Sequence, residues 1–174
     1  MRRYALPILI SAIALFVFQG VALREVSQRD VDALSKASLI YIATVRKDGN
    51  QSKPAPVWFT TSADHAVIIQ TSPDSWKAKR IKRGSPAIVW IGKSDGPAFI
   101  GKAEITNDSE VVNRLIEDYP KKYWIAWAGA FRPSKEKIES GKTVAIKIVP
   151  VKDLPDGFSS QPGTPAPKLE AAGH

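Results

Sequence analysis

Six short apolar runs, most of them separated by tight turns, make up the middle of this chain. The runs cover residues 39–45, 52–61, 66–70, 87–91, 98–106 and 143–149. Asp48-Gly49-Asn50 follows the first run and is a strong hairpin signal, because glycine accepts a positive φ. Short strands joined mainly by turns are typical of antiparallel barrels. The sequence therefore predicts a mainly β fold in which six antiparallel strands form a barrel.

A few short helices are predicted between these strands. The first follows Ser27–Asp30, which resembles a capping box, and the second covers residues 75–83. The third begins after residues 107–109 and is expected to end at Tyr119-Pro120. Residues 121–130 are predicted to be helical as well.

Pro54 and Pro56 lie within the predicted strand of residues 52–61. Proline has no backbone N–H to donate, so it is confined to edge strands and bulges. We therefore expect this strand to lie at a sheet edge or to contain a bulge, where something other than a strand packs against it.

The two ends of the chain differ in composition from its middle. Arg2-Arg3 precede an uncharged run from Tyr4 to Leu23, a pattern that predicts a signal peptide or membrane anchor over residues 1–26. The protein is thus expected to be exported or membrane-anchored, with the periplasmic or extracytoplasmic side favoured. Residues 153–174 are polar and proline-rich, and predict a disordered tail. One folded domain is left, over residues 27–152.

Charge and composition limit the possible functions. Lysine and arginine total 25 against 17 acidic residues, a formal net charge of +8, which favours phosphates, nucleic acid or an anionic membrane surface as partners. There is no cysteine, which excludes disulfides, thiolate metal sites and a cysteine nucleophile. His65 and His174 are the only histidines, and neither has a second ligand at metal-binding spacing, so no metal site is predicted.

Residues 71–83 predict a strand end, a turn and a short basic helix in succession. Ser75 and Lys77 would lie at the helix N-terminus, where unpaired N–H groups and the helix dipole attract anions. Helical spacing places Lys77 at the edge of the buried face, beside Ile81. The alternative is that Lys77 belongs to the solvated basic face of the same helix, and the spacing alone leaves both interpretations open.

Four segments together resemble the pyridoxamine-phosphate-oxidase-like split-barrel superfamily. They are residues 42–49, Pro56-Val-Trp-Phe59, residues 71–83 and residues 101–105, and their order and spacing are those of the family. The resemblance implies an FMN-binding split barrel that works as a homodimer, with cofactors at the subunit interface. The implied cofactor is FMN, or alternatively the deazaflavin coenzyme F-420. True pyridoxamine-phosphate oxidases have a further C-terminal segment where this chain has its proline-rich tail, so the resemblance is to the superfamily.

The resemblance also implies cofactor contacts. Ser75 and Lys77 match the family's phosphate-binding positions, and Arg80 stands where many relatives have asparagine. The strand that passes beside the flavin ring corresponds to Val57 and Trp58. Positions near the ring and phosphate correspond to Gln70 and Thr71.

Aromatic residues follow the third predicted helix. Tyr123, Trp124, Trp127 and Phe131 could wall a pocket for cofactor or substrate, or could serve only in core or dimer packing.

Three classes of function follow from these patterns. The first is a flavin- or deazaflavin-dependent oxidoreductase that transfers hydride to a small substrate, with no catalytic acid or base assigned. The second is a non-catalytic carrier of flavin or haem, although only His65 and His174 could ligate haem iron. The third is a binder of anionic surfaces, in which Trp76 lies beside basic residues. The apolar leader argues against nucleic acid as the partner in that class.

Overall fold

The computed structural model describes residues 27–123 and 132–169, which contain seven strands and four helices. The helices are α1 Gln28–Lys36, α2 Trp76–Lys82, α3 Ser109–Lys122 and α4 Lys135–Glu139, and the strands are β1 Ile40–Thr44, β2 Ala55–Val57, β3 Thr60–Thr61, β4 Val67–Thr71, β5 Ala87–Ile91, β6 Ala98–Thr106 and β7 Val144–Asp153. Within these ranges, no helix is both long and apolar enough to cross a membrane. The predicted leader lies outside the described residues.

All seven strands form one antiparallel sheet in the order β2-β1-β5-β6-β7-β4-β3. The two edge strands, β2 and β3, are consecutive in the chain and are separated only by Trp58 and Phe59. The sheet is curled into a half-barrel, and the chain crosses from one of its edges to the other through these two residues. The predicted mainly β split barrel is confirmed.

The predicted strand of residues 52–61 is two strands with different partners. β2 pairs with β1, whereas β3 pairs with β4. Because Pro56 cannot donate a ladder hydrogen bond, β2 lies at a sheet edge, as the prolines predicted. Apolar residues continue from β2 through Trp58 and Phe59 to Thr60-Thr61, and threonine is itself favoured in strands, so the sequence did not separate the two strands.

Helix α3 does not end at Tyr119-Pro120, so this prediction was wrong. The helix continues through Pro120 to Lys122, and the backbone N–H of Tyr123 donates to the Tyr119 carbonyl at 2.8 Å. A proline this near the C-terminal end removes only one helical hydrogen bond, and the packing of α3 against the sheet compensates for it. Of the predicted helix over residues 121–130, the first two residues belong to α3, and residues 124–130 lie outside the described ranges.

Most of the core lies inside the curled sheet, where Ile40, Phe59, Val89 and Ile146 are fully buried. A second cluster joins α3 to the sheet through Leu115 and Tyr119. Strands β6 and β7 approach each other closely at Gly101. A Cβ atom there would lie 2.7 Å from the Val149 carbonyl oxygen, so only glycine fits beside the register shift at this point.

Residues 154–169 follow a defined course over the outer face of β1, β5 and β6, whereas the sequence predicts disorder from residue 153 onward. Leu154 is buried and Phe158 packs on Trp90, whose indole N–H donates to the Phe158 carbonyl at 3.0 Å. The side-chain amide of the fully buried Gln51 donates to the Ser159 carbonyl at 2.8 Å. A few apolar anchors and a buried amide thus hold a segment whose average composition is polar.

Candidate functional site

A cavity of about 560 Å³ lies at the seam where the two edges of the sheet approach each other. Its wall includes Val57 and Trp58 from the end of β2, and Gln70 and Thr71 from the end of β4. These four residues were predicted from the resemblance to contact a cofactor, and the fold brings them together. The two pairs are twelve residues apart in the sequence and meet here because β2 and β4 end at the same seam.

Five further residues line this cavity and were not predicted as site residues: Leu39, Pro56, Ser72, Tyr119 and Thr143. Pro56 and Ser72 lie within the segments that resemble the family, next to the predicted residues Val57 and Thr71, so their position in the sequence could have suggested them. Thr143 precedes β7 and Tyr119 lies on α3, and no local pattern connects either with β2. Only the pairing of β7 with β4 and the docking of α3 place them here.

Two tyrosines of α3 hold the segment that crosses the seam. The Tyr119 hydroxyl donates to the Trp58 carbonyl at 2.7 Å. The Tyr123 hydroxyl accepts from the Phe59 N–H at 3.0 Å and lies 2.9 Å from the Ser38 carbonyl, to which it can donate. Burial raises the pKa of both phenols, so both keep their protons for these bonds at neutral pH.

Aromatic stacking also holds the segment that crosses the seam. The rings of Trp58 and Tyr123 are parallel, with centroids 4.8 Å apart, and Tyr119 meets Tyr123 edge-on at 5.5 Å. Tyr123 therefore serves in packing behind the cavity wall. The other predicted aromatic wall residues, Trp124, Trp127 and Phe131, lie outside the described residues.

Hydroxyl groups link the cavity to the start of α2. The Thr71 hydroxyl donates to Ser75 Oγ at 3.2 Å, and Ser75 Oγ in turn accepts from the Ala78 N–H at 3.2 Å as the helix cap. Thr143 adds a buried hydroxyl oxygen that has no hydrogen-bond partner in the part of the chain that the structure describes. One side of the cavity thus carries polar groups, while most of its wall is apolar.

Lys77 follows Ser75 by two residues and is half-buried on α2. Burial alone lowers the pKa of its ammonium, because no opposite charge compensates the loss of water. No carboxylate of residues 27–123 or 132–169 forms an ion pair with it. A half-buried cation without a counter-charge favours binding of an anion, and no sequence pattern could have distinguished this burial from a solvated position.

Arg80 does not line the cavity. Its guanidinium donates to Thr44 Oγ1 of β1 at 3.3 Å and lies over the Trp76 ring at 5.5 Å. Burial lowers its pKa first, and the nearby Arg46 and Arg83 add repulsion. Of the seven residues predicted to contact the cofactor, Arg80 is thus the one whose side chain donates a hydrogen bond to β1.

Lys122, at the end of α3, has an environment that the sequence did not indicate. Its amino group lies 3.4 Å from the centroid of the buried Phe59 ring. Loss of water there lowers its pKa to about 8. This amine therefore titrates near physiological pH while it covers the residue next to Trp58.

Metal ligands do not converge in the described ranges, where no group of three or more histidine, cysteine or carboxylate side chains could hold an ion. His65 lies in an exposed turn with φ of 60°, and it does not line the cavity. His174 lies outside the described residues.

Comparison with known proteins identifies the family. The model of the pyridoxamine 5'-phosphate oxidase family matches residues 27–152. The chain belongs to this family. The pyridoxamine 5'-phosphate oxidase match includes all of the sheet except the last residue of β7, and every residue of the cavity wall. It ends just before the segment that covers the outer sheet face.

Solved structures with the same fold are distant in sequence. A conserved hypothetical protein from Mycobacterium tuberculosis is 18% identical over 87% of this chain and 96% of its own, with a TM-score of 0.54. General stress protein 26 from Bacillus anthracis is 24% identical over 69% of this chain and 84% of its own, with a TM-score of 0.50. HutZ, a haem storage protein from Vibrio cholerae, is 12% identical over 78% of this chain and 98% of its own, with a TM-score of 0.52. A search of the curated proteins finds no match.

Proposed function

We propose that this protein binds a flavin nucleotide, FMN or the deazaflavin coenzyme F-420, in the seam cavity and acts as an oxidoreductase on a small substrate. Membership of the pyridoxamine 5'-phosphate oxidase family supports this proposal. The observation that carries it is the position of the half-buried, unpaired Lys77 two residues beyond Ser75, which is hydrogen-bonded to Thr71 in the cavity wall.

The cavity fits a flavin ring in size and character. Cofactor sites are typically about 300–1,000 Å³ and mainly apolar, with a few polar groups that fix orientation. The cavity of about 560 Å³ has apolar walls at Leu39, Val57 and Trp58. The unpartnered hydroxyl oxygen of Thr143 offers a hydrogen bond to a polar ring edge.

The phosphate end of the cofactor would be held by this chain's own cation and hydroxyls. Lys77 would gain the counter-charge that it lacks, and the Thr71 and Ser75 hydroxyls could reorient to donate. Binding would therefore restore the pKa of Lys77 towards its ordinary value, because a nearby anion stabilises the ammonium.

The bound flavin would supply the hydride chemistry, while the protein would supply position and exclusion of water. Tyr119 would hold the Trp58 backbone in place through its hydrogen bond. It is the only titratable side chain in the cavity wall that the structure describes, and its raised pKa keeps it protonated. Proton transfer during turnover is therefore assigned to the substrate or to water.

A titration of the purified protein with FMN, and separately with F-420, tests this proposal. We expect a saturable change in the absorbance and fluorescence spectra with one of the two cofactors. A folded protein that responds to neither would contradict the proposed function. Reduction of the bound cofactor, followed by reoxidation with candidate acceptors, then tests whether the protein is catalytic.

A non-catalytic carrier is the second candidate, because the described cavity wall contains no carboxylate or histidine. A carrier would bind the cofactor as tightly but would show no turnover with any acceptor. The fold similarity to HutZ makes haem a ligand to include in the same titration, although His65 lies in an exposed turn away from the cavity.

A homodimer and export of the protein belong to the same proposal. The family resemblance implies that a second copy completes the cofactor pocket, and light scattering of the purified protein tests this. A monomer that still binds cofactor would remove the partner subunit from the site.

Fractionation of cells that express the full chain would test whether residues 1–26 direct it across or into a membrane.

A further inference from the structure

Trp76 is the one large hydrophobic side chain that is exposed among residues 27–123 and 132–169, and 69% of its surface is accessible. It opens α2 and does not contribute to the cavity wall. An indole in contact with water loses the free energy that burial would give it. Its exposure therefore requires an explanation other than core packing.

Cations surround this indole. The Lys79 ammonium lies 5.9 Å from the ring centroid, and the Arg80 guanidinium carbon lies 5.5 Å from it. Lys82 and Arg83 complete the exposed side of the helix, and neither forms an ion pair in the described part of the chain. We name Trp76, Lys79, Arg80, Lys82 and Arg83 the α2 patch.

Positive charge in the α2 patch exceeds the acidic charge beside it. Asp74 pairs with Lys79 at 3.4 Å, Glu104 lies in the same groove as Lys82, and the charge of Asp48 acts on Arg80, so three acids face four basic side chains. The pKa of Arg80 is lowered, first by burial and then by the charges of Arg46 and Arg83. An anion bound at this surface would relieve that repulsion.

We propose that the α2 patch is a docking surface for an anionic lipid bilayer. Tryptophan prefers the interface between water and lipid, and basic side chains around it attract acidic headgroups. Single-stranded nucleic acid is a poorer fit, because its binding sites usually stack several bases on several aromatic rings. In the described part of this chain one large aromatic ring is exposed, and two cations already lie over it. This inference does not depend on the cofactor cavity.

Binding of the full chain to vesicles tests the proposal. Wild type and variants are mixed with vesicles of phosphatidylcholine alone, and with vesicles that also contain phosphatidylglycerol, and the bound fractions are measured by sedimentation. Because residues 1–26 are present in every variant, the informative quantity is the ratio of partition coefficients for anionic and neutral vesicles. We expect this ratio to exceed one in wild type and to fall as salt is added.

Two variants of the patch and one matched control make the test specific. The double variant Lys82→Gln/Arg83→Gln should lower the ratio by about 25-fold, because each basic residue near an anionic surface contributes about fivefold. Trp76→Ala should weaken binding to both vesicles, and more strongly to the anionic ones. The control Lys93→Gln/Lys135→Gln also removes two exposed charges, and it should leave the ratio unchanged.

Two outcomes would overturn the proposal: a wild-type ratio of one, or equal losses in the patch and control double variants. A wild-type ratio of one together with patch-dependent binding of oligo(dT) would assign the patch to nucleic acid. Cofactor titration of each variant keeps the result separate from the proposed function. An unchanged cofactor affinity shows that the variant is folded and that its cavity is intact.

Discussion

At the scale of single residues, Lys77 and Lys82 are two lysines of one helix with different surroundings. Lys77 is half-buried two residues beyond Ser75, whereas Lys82 is exposed. We expect Lys77→Ala to weaken cofactor binding at least about tenfold more than Lys82→Ala, because a hydrogen bond to a charged group contributes roughly 1.5–3 kcal/mol. Cofactor titration of the two variants measures this difference, and equal losses would remove Lys77 from the site.

Lys122 provides a pH-dependent prediction. Its folded-state pKa is about 8, below the ordinary lysine value of 10.5, so between these values the unfolded chain holds more protons than the folded one at this residue. Stability contributed by this group should therefore rise as pH increases through that window. Urea unfolding of wild type and Lys122→Met across the window tests the sign. A difference between the two proteins that does not change with pH would show that Lys122 titrates normally.

At the scale of elements, the crossing between β2 and β3 depends on α3. Tyr123→Phe would remove the acceptor of the Phe59 N–H and leave that group buried without a partner. The expected loss of stability is about 1–3 kcal/mol. Cofactor affinity should fall as well, because the crossing segment loses its anchor at Phe59, the residue next to Trp58. Tyr41→Phe on β1 is the matched control, since its phenol forms no hydrogen bond in the described structure. If urea unfolding gives the same loss of stability for both variants, the Tyr123 hydroxyl does not anchor the crossing between β2 and β3.

The sequence predicted elements well where local pattern and final pairing agree. Strands β5 and β6 have the predicted bounds because turns delimit their apolar runs on both sides. The division between β2 and β3 escaped prediction because it depends on which distant strand each one meets. The extension of α3 past Pro120 escaped it because tertiary packing outweighed the loss of one hydrogen bond.

The residues of the candidate site also divide into those that the sequence could indicate and those that only the tertiary structure brings to the cavity. Val57, Trp58, Gln70 and Thr71 were named through the family resemblance, and the fold gathers them around one cavity. Tyr119 and Thr143 complete the wall from segments that carry no motif. The direction of Arg80 towards Thr44 depends on the placement of β1 beside α2, which a helical wheel does not contain.

At the scale of the whole molecule, the segment of residues 154–169 acts as part of the fold. Truncation after Asp153 would expose Trp90 and remove the anchors Leu154 and Phe158. We expect a loss of about 3 kcal/mol or more, because burial of each large apolar side chain contributes roughly 1.5–3 kcal/mol. Truncation after residue 169 is the control. Equal urea midpoints for the two truncated proteins would show that the segment contributes nothing to stability.

Strand β7 has a consequence for the order in which the protein forms. It pairs with β6 on one side and with β4 on the other, so β4 lacks this neighbour until the last strand has been synthesised. Pairing between segments so distant in sequence is slow, and an unpaired strand edge promotes association with other chains. Thr143, directly before the same strand, completes the cavity wall. A nascent chain on the ribosome therefore has no finished pocket until β7 has been synthesised, and any cofactor must be loaded after that point.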